Sequence, residues 1–172
     1  AVTGAEKAEA VGGVVGAIDG SNTEAALITS CYNTGKVNGR GWVGGIAGIS
    51  GYQKTPMTVE VKNSYSTGAI TGASHSGAVI GKMTKGTVSG TYYLQGAQNS
   101  VSGTIAATAV QFASGEIAAK LNETSNVWFQ ALDIEGMEPD ASPVLDPAHG
   151  TVYAGYCNCT DQGYTNRENY NE

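Results

Sequence analysis

Hydrophobic residues in this chain come in short runs broken by glycine. VGGVVG (residues 11–16), VGGIAG (43–48) and SGAVIG (76–81) begin 32 and 33 residues apart. Each is followed by a second apolar stretch: LITSCYNTG from Leu27, EVKNSYSTG from Glu60 and TVSGTYYLQG from Thr87. A third stretch follows in the first two units, KVNG from Lys36 and AITG from Ala69, and SVSG from Ser100 is the candidate in the third. Helical periodicity is missing here, so each unit reads as strand, connection, strand, tight turn, strand. A fixed period of this length signals a repeat array. Three short strands with glycine-rich corners fit one rung of a parallel β-helix better than a propeller blade, which needs about forty residues and four strands. One rung orders far more backbone than its few aliphatic side chains can stabilise, so rungs have to stack.

Stacking places equivalent positions one strand spacing apart, about 4.8 Å. Cys31, Ser64 and Thr91 then form one ladder, and Tyr32, Tyr65 and Tyr92 another. Alternation with Ile28 and Val61 points the tyrosines inward, whereas a bend at Asn63 would turn them out. Thr34-Gly35 and Thr67-Gly68 mark a corner, where glycine tolerates positive φ. The expectation is an all-β fold: a right-handed parallel β-helix (β-solenoid) of about three rungs over residues 11–112. Residues 1–10 serve as a lead-in, too short to cover the first rung. That rung is therefore expected to present unpaired strand edges, in a segment excised from a longer array or a subunit that stacks head to tail.

The stretches VGGIAG and NSYSTGAITG resemble the GLUG repeat of bacterial secreted and surface proteins. That repeat couples a V-G-G-hydrophobic-x-G stretch to an Asn-Cys-Tyr-Asn-Thr-Gly stretch. Residues 31–35, CYNTG, match the second part, with Ser30 where the family often has asparagine. Asn63 restores the asparagine and Ser64 replaces the cysteine, while the third unit is degenerate at Ser76, Ala78 and GTYYL. The resemblance covers roughly residues 11–95. It implies a non-catalytic structural or adhesive module, located outside the cell on the bacterial surface or secreted. Its partner would be a host or matrix protein or a glycan. The repeat also occurs in proteins similar to immunoglobulin A metallopeptidases, whose zinc motif is missing here. A self-assembling filament subunit and a carbohydrate-active β-helix enzyme or carbohydrate-binding module are the alternatives.

Past residue 112 the pattern changes. ASGEIAAKLN (113–122) spaces Ile117 and Leu121 four apart and predicts one short helix with Ser114 as N-cap. VWFQALD (127–133) and SPVLDPAHGTVY (142–153) read as apolar strands around prolines, so residues 113–153 are expected to cap the solenoid. This run also resembles the segment that often follows GLUG repeats. Residues 154–172 lack Val, Leu, Ile, Met and Phe and read as a polar tail or linker, with docking on this domain or a partner as the alternative.

Composition narrows the function classes. Hydrophobic residues make up 41 % and charged ones 14 %, which excludes a disordered polyelectrolyte, and the 25 glycines have no collagen period. The net charge of −6 divides as +3 over residues 11–112, −8 over 113–172 and −1 over 1–10. Six scattered cations are no nucleic-acid footprint. Runs of the roughly 18 apolar residues that cross a membrane are missing, and so is any signal-peptide pattern in the first ten residues. Glycoside chemistry needs paired acids, yet Glu60 is the only carboxylate between Ala25 and Phe112. The expectation is therefore no catalytic residue and no enzyme. His75 and His149 lack metal-ligand spacing to another His or Cys, and Cys157 and Cys159 have no evident partner ligands, so neither metal nor cofactor is expected. The longer connections, 17–27 and 49–60, would stack at one corner and make GYQKTPM, with Tyr52 and Lys54, a candidate contact loop.

Overall fold

The computed structural model describes residues 1–20, 25–51, 57–72, 74–99, 101–156 and 162–168. It consists of two compact units, residues 1–106 and 107–172.

The first unit follows the repeat. Its strands are β1 (Val2–Thr3), β2 (Ala10–Gly12), β3 (Val15–Ile18), β4 (Ala25–Thr29), β5 (Tyr32–Asn33), β6 (Val37–Gly39) and β7 (Trp42–Gly44). They continue as β8 (Ala47–Ser50), β9 (Thr58–Ser66), β10 (Ile70–Gly72), β11 (His75–Gly77), β12 (Ile80–Met83), β13 (Gly86–Leu94) and β14 (Thr104–Ala107). Four stacks result, β1-β6-β10, β2-β7-β11, β3-β8-β12 and β4-β9-β13-β14, with β5 also on β9. The ladders joining β1 to β6 and β10, β7 to β2 and β11, β8 to β3 and β12, and β9 to β4, β5 and β13 are all parallel. Register equals repeat: Val11 pairs Val43, Val43 pairs Ser76, and Tyr32, Tyr65 and Tyr92 align. The parallel β-solenoid of about three rungs is borne out.

The glycines explain a difference in detail. Each VGG stretch is two strands rather than one, because the chain bends within it and enters a second sheet. A Cβ on Gly44 would lie 1.9 Å from the Ala47 carbonyl oxygen, and one on Gly45 2.1 Å from the Ala78 carbonyl oxygen. The last glycine of the motif acts between sheets. A Cβ on Gly48 would meet the Val11 nitrogen at 2.6 Å, and one on Gly81 the Val43 nitrogen at 2.7 Å. Glycine here allows close backbone approach of the β8 and β7 sheets. The departure at Ala78 has the same logic. Among the described residues no further rung strand stacks beyond β11, and the Ala78 amide donates to the Gln98 carbonyl at 2.6 Å.

Two apolar cores fill the rungs. Val11, Val37 and Val43 pack with Ala8 and Ile70. Ile46, Ala47, Val59, Val61, Val79, Ile80 and Val88 form the larger one, with Val15, Ile18 and Ile28 against it.

Two boundaries differ from the expectation. Residues 1–10 are more than a lead-in: Val2 and Thr3 pair with Val37 and Asn38, so AVTG aligns with KVNG and AITG, and Ala10 already begins β2. Residues 101–103 of SVSG form a bend and turn and not a third strand. Ser100 lies outside the described residues, and the Asn99 side chain bonds Val101 and Thr104 and curls the segment into a turn before β14.

The second unit is held by two helices and an antiparallel pair. α1 (Ala109–Ala113) starts at Thr108, whose side chain accepts from the Gln111 amide while the Gln111 side chain accepts in return, a capping box. α2 (Glu116–Asn122) follows Gly115, at φ +88°. The helix expected over 113–122 is α2, with Gly115 in place of Ser114 at its N-cap, and the shorter α1, opened by the Thr108–Gln111 box, precedes it. Of the expected strands, Phe129 and Val144 form only an isolated antiparallel bridge. Phe112, Ile117, Ala118, Leu121 and Trp128 are buried. β15 (Tyr153–Tyr156) pairs antiparallel with β16 (Gln162–Thr165). Residues 162–166 are therefore part of this unit rather than a linker. Asn166 accepts from the Leu132 amide at 2.6 Å and donates to the Gln130 and Thr151 carbonyls at 2.8 and 2.9 Å.

Candidate functional site

The residues that repeat most clearly are engaged in architecture. Ser30, Asn63 and Gly90 occupy one position of the three units, and all are left-handed, at φ +51°, +48° and +51°. The next side chain closes the kink each time. Cys31 Sγ donates to the Thr29 carbonyl at 3.2 Å, Ser64 Oγ to that of Lys62 at 2.7 Å and Thr91 Oγ1 to that of Ser89 at 2.8 Å. Ser64 Oγ also accepts from the Cys31 amide at 3.1 Å, linking neighbouring rungs. The tyrosine ladder faces inward: Tyr65 is 0 % and Tyr92 8 % exposed, and the Tyr32 and Tyr65 rings stack at 5.4 Å and 19°. Asn33 donates to the Gly35 carbonyl at 2.8 Å and accepts from the Gly35 amide, an Asx-type turn that makes the corner. A Cβ on Gly68 would lie 2.1 Å from the Gly35 carbonyl oxygen. Cys31, Tyr32, Asn33 and Gly35 of CYNTG thus each have a structural partner.

A different stack gathers the side chains that do not repeat. Ala10, Trp42 and His75 align in register across β2, β7 and β11. Trp42 belongs to no recurring motif. The signal for it is its place immediately before the valine that opens VGGIAG, but its neighbours are set by stacking. The Trp42 and His75 rings are 6.3 Å apart, and Lys82 Nζ lies 5.3 Å from the Trp42 ring centroid, a cation–π contact. Trp42 is seated by its amide, which donates to the Glu9 carbonyl at 2.7 Å. A Cβ on Gly41 would be 1.9 Å from that same oxygen. The result is an open cavity of about 280 Å³ lined by Glu9, Gly41, Trp42, Ser74 and His75. A second cavity of about 280 Å³ shares Glu9, Gly41 and Ser74 and runs on past Glu6, Lys7 and Arg40. A larger hollow of about 480 Å³, between Thr67–Ile70 and Leu94–Gln98, has no aromatic or charged lining.

The other candidates separate. Glu60 pairs with Lys62 at 2.6 Å, both well exposed. His149 has a carboxylate beside it: its Nδ1 lies 2.7 Å from Asp140 Oδ2, which also accepts from the Ala131 amide. Burial pushes the Cys31 thiol above its ordinary pKa. In the second unit burial raises Asp133, but bonds from Asn166 and Thr165 and the Arg167 charge outweigh it and hold the carboxyl low. The Lys120 hydrogen bond, aided by Gln111 against burial, holds Glu116 low. Burial, with Glu116 and Glu123 adding to it, raises Tyr164. Tyr52, Lys54, Cys157 and Cys159 lie outside the described residues. Among the described residues no group of three or more His, Cys, Asp or Glu is placed to hold a metal ion, and no helix is long and apolar enough to cross a membrane.

A family model described as the GLUG motif matches residues 7–38. The match spans β2 to β6, the first full rung, and the later rungs repeat its pattern in register. Residues 7–38 thus carry a GLUG motif, which supports a GLUG-repeat region. Neither a curated protein nor a solved structure matches the chain.

Proposed function

We propose that the chain is a non-catalytic recognition and display module of a bacterial cell-surface or secreted protein, working outside the cell. The observation that carries this reading is the division of labour in the repeat. Positions that recur, the glycines, the tyrosines and the Cys31-Ser64-Thr91 ladder, stack the rungs. Positions that vary, such as Ala10-Trp42-His75, form a registered column with a different, partly or fully exposed side chain at each level. A scaffold of that kind presents side chains on rigid strands, as solenoids do on their binding surfaces. The partner class is a host or matrix protein or a glycan. The test pairs two assays on the intact chain: adhesion of beads coated with it to matrix proteins and glycans, and release of reducing ends from a polysaccharide panel. Adhesion without release is expected. Release that disappears in Glu60→Gln would replace this reading with an enzyme.

Self-association is a second reading, favoured by the first rung. β2, β3 and β4 are end strands of their sheets, and Val14 and Leu27 are 49 % and 57 % exposed there. Such edges invite another strand. Light scattering over a concentration series is expected to show growth that Leu27→Lys suppresses. A monomer at every concentration would end this reading.

A further inference from the structure

We infer that the paired cavities beside Trp42 form a binding site for a short neutral saccharide. This deepens the recognition reading above and rests on it. Four observations point to the ligand class. The wall is aromatic: Trp42 lies within the lining, with His75 tilted at 31° beside it. Flat rings of this kind bury the C–H faces of a sugar ring, while Ser74, His75 and Glu9 offer donors and acceptors for its hydroxyls. Size is the second. Each cavity measures about 280 Å³ and the two share Glu9, Gly41 and Ser74, a shape for two linked small rings rather than one bulky ligand.

Charge is the third observation. Glu6 and Glu9 face Lys7 and Arg40 along the cleft, with Lys82 over the Trp42 ring, so both signs line the site and neither dominates it. A polyanion or polycation would meet its own sign as well as the opposite one, so the mixture favours an uncharged ligand. The fourth is backbone pairing. β7 is the central strand of its stack, flanked in parallel by β2 and β11. Peptides are commonly captured by adding a strand to an open edge, and the strand that carries Trp42 has no open edge. At Trp42 itself recognition falls to side chains, whereas β2 and β11 keep open outer edges. The wall is also held in advance. The Trp42 amide is bonded to the Glu9 carbonyl and Lys82 sits over its ring, so little freedom is lost on binding.

The test uses the intact chain, labelled with ¹⁵N and titrated with cellobiose, lactose and chitobiose while amide and indole resonances are followed. The two indoles serve as probe and control, since Trp128 is buried in the other unit. At least one disaccharide is expected to shift the Trp42 indole and the Gly41, Ser74 and His75 amides, with Kd on the order of 1 mM. The Trp128 indole should stay still. Ser74→Ala and His75→Ala, both at exposed positions, should each weaken binding about tenfold or more with the spectrum otherwise unchanged. Shifts from none of the three sugars at about ten times that concentration would overturn the inference, as would equal shifts at Trp128 or unaltered affinity in both variants. Binding of an extended peptide probe in their place would overturn it too. A sugar that is bound and then cleaved would sink the non-catalytic reading and leave the site standing. Absence of sugar binding would sink the site and leave the non-catalytic reading standing.

Discussion

Replacing Gly45 by alanine tests the central claim about the repeat, that its glycines are set by distance between rungs. The added Cβ would lie 2.1 Å from the Ala78 carbonyl oxygen and 2.1 Å from Ser66 Oγ. Ordinary carbon–oxygen contacts are more than an ångström longer. Ser66 is buried, and Ala78 is fixed by the hydrogen bond its amide donates to the Gln98 carbonyl, so relief requires moving backbone in two rungs. Overpacking of this kind costs about 1–3 kcal/mol, and a clash with backbone belongs at the upper end. At roughly 4 °C per kcal/mol for a domain of this size, the solenoid should melt about 10 °C lower. The assay is thermal unfolding by circular dichroism, with hydrogen exchange of the β9 peptide to assign the transition to the first unit. Gly163→Ala is the control, since nothing lies within 4 Å of its Cβ, and it should change stability by less than about 0.5 kcal/mol. The equivalent position of the third rung should behave in the opposite sense. Ala78→Gly relieves no clash and should cost about 0.5–1 kcal/mol through chain entropy. A Gly45→Ala protein melting within about 2 °C of the parent would refute the argument that rung spacing selects glycine.

Asn63 sits at φ +48°, so Asn63→Ala should lose about 1–2 kcal/mol in urea unfolding while Asn63→Gly stays close to the parent; equal losses would show that the left-handed geometry is not the cause. Cys31→Ser should keep the bond to the Thr29 carbonyl, as Ser64 and Thr91 do at their levels, and Cys31→Ala should lose about 1 kcal/mol; indistinguishable variants would remove that bond from the account. Because burial raises the Cys31 pKa, its alkylation, read by peptide mapping, should stay slow until pH passes the ordinary thiol range; a rate equal to that of the unfolded chain would contradict this. The Asp133 carboxyl is held low in the fold, so its stabilisation is fully present above the ordinary carboxylate pKa and is lost as pH falls through the depressed value. Asp133→Asn should therefore flatten the acid side of the second unit's melting profile, and an unchanged profile would assign that slope elsewhere.

The period, the parallel stack and the ladders were legible in the sequence because each follows from local rules repeated in phase. Glycine pairs mark bends wherever they fall, and a 32–33-residue spacing brings like onto like without further information. The number of strands per rung was harder to read, since a bend inside VGG is visible only once a neighbouring carbonyl stands where a Cβ would be. Tyr65 takes the inward side that alternation with Val61 indicates, and the left-handed turn at Asn63, closed by Ser64 Oγ, does not turn it out. The AVTG strand was missed because two residues carry too little pattern until Val37 and Asn38 lie beside them. In the second unit the polar tail looked coreless by composition, and its place rests on the contacts of Asn166 with segments 15 to 36 residues away. The site beside Trp42 had no motif at all. Glu9, Trp42 and His75 are about 33 residues apart from one to the next, and their chemistry converges only because parallel stacking reduces that separation to one strand spacing.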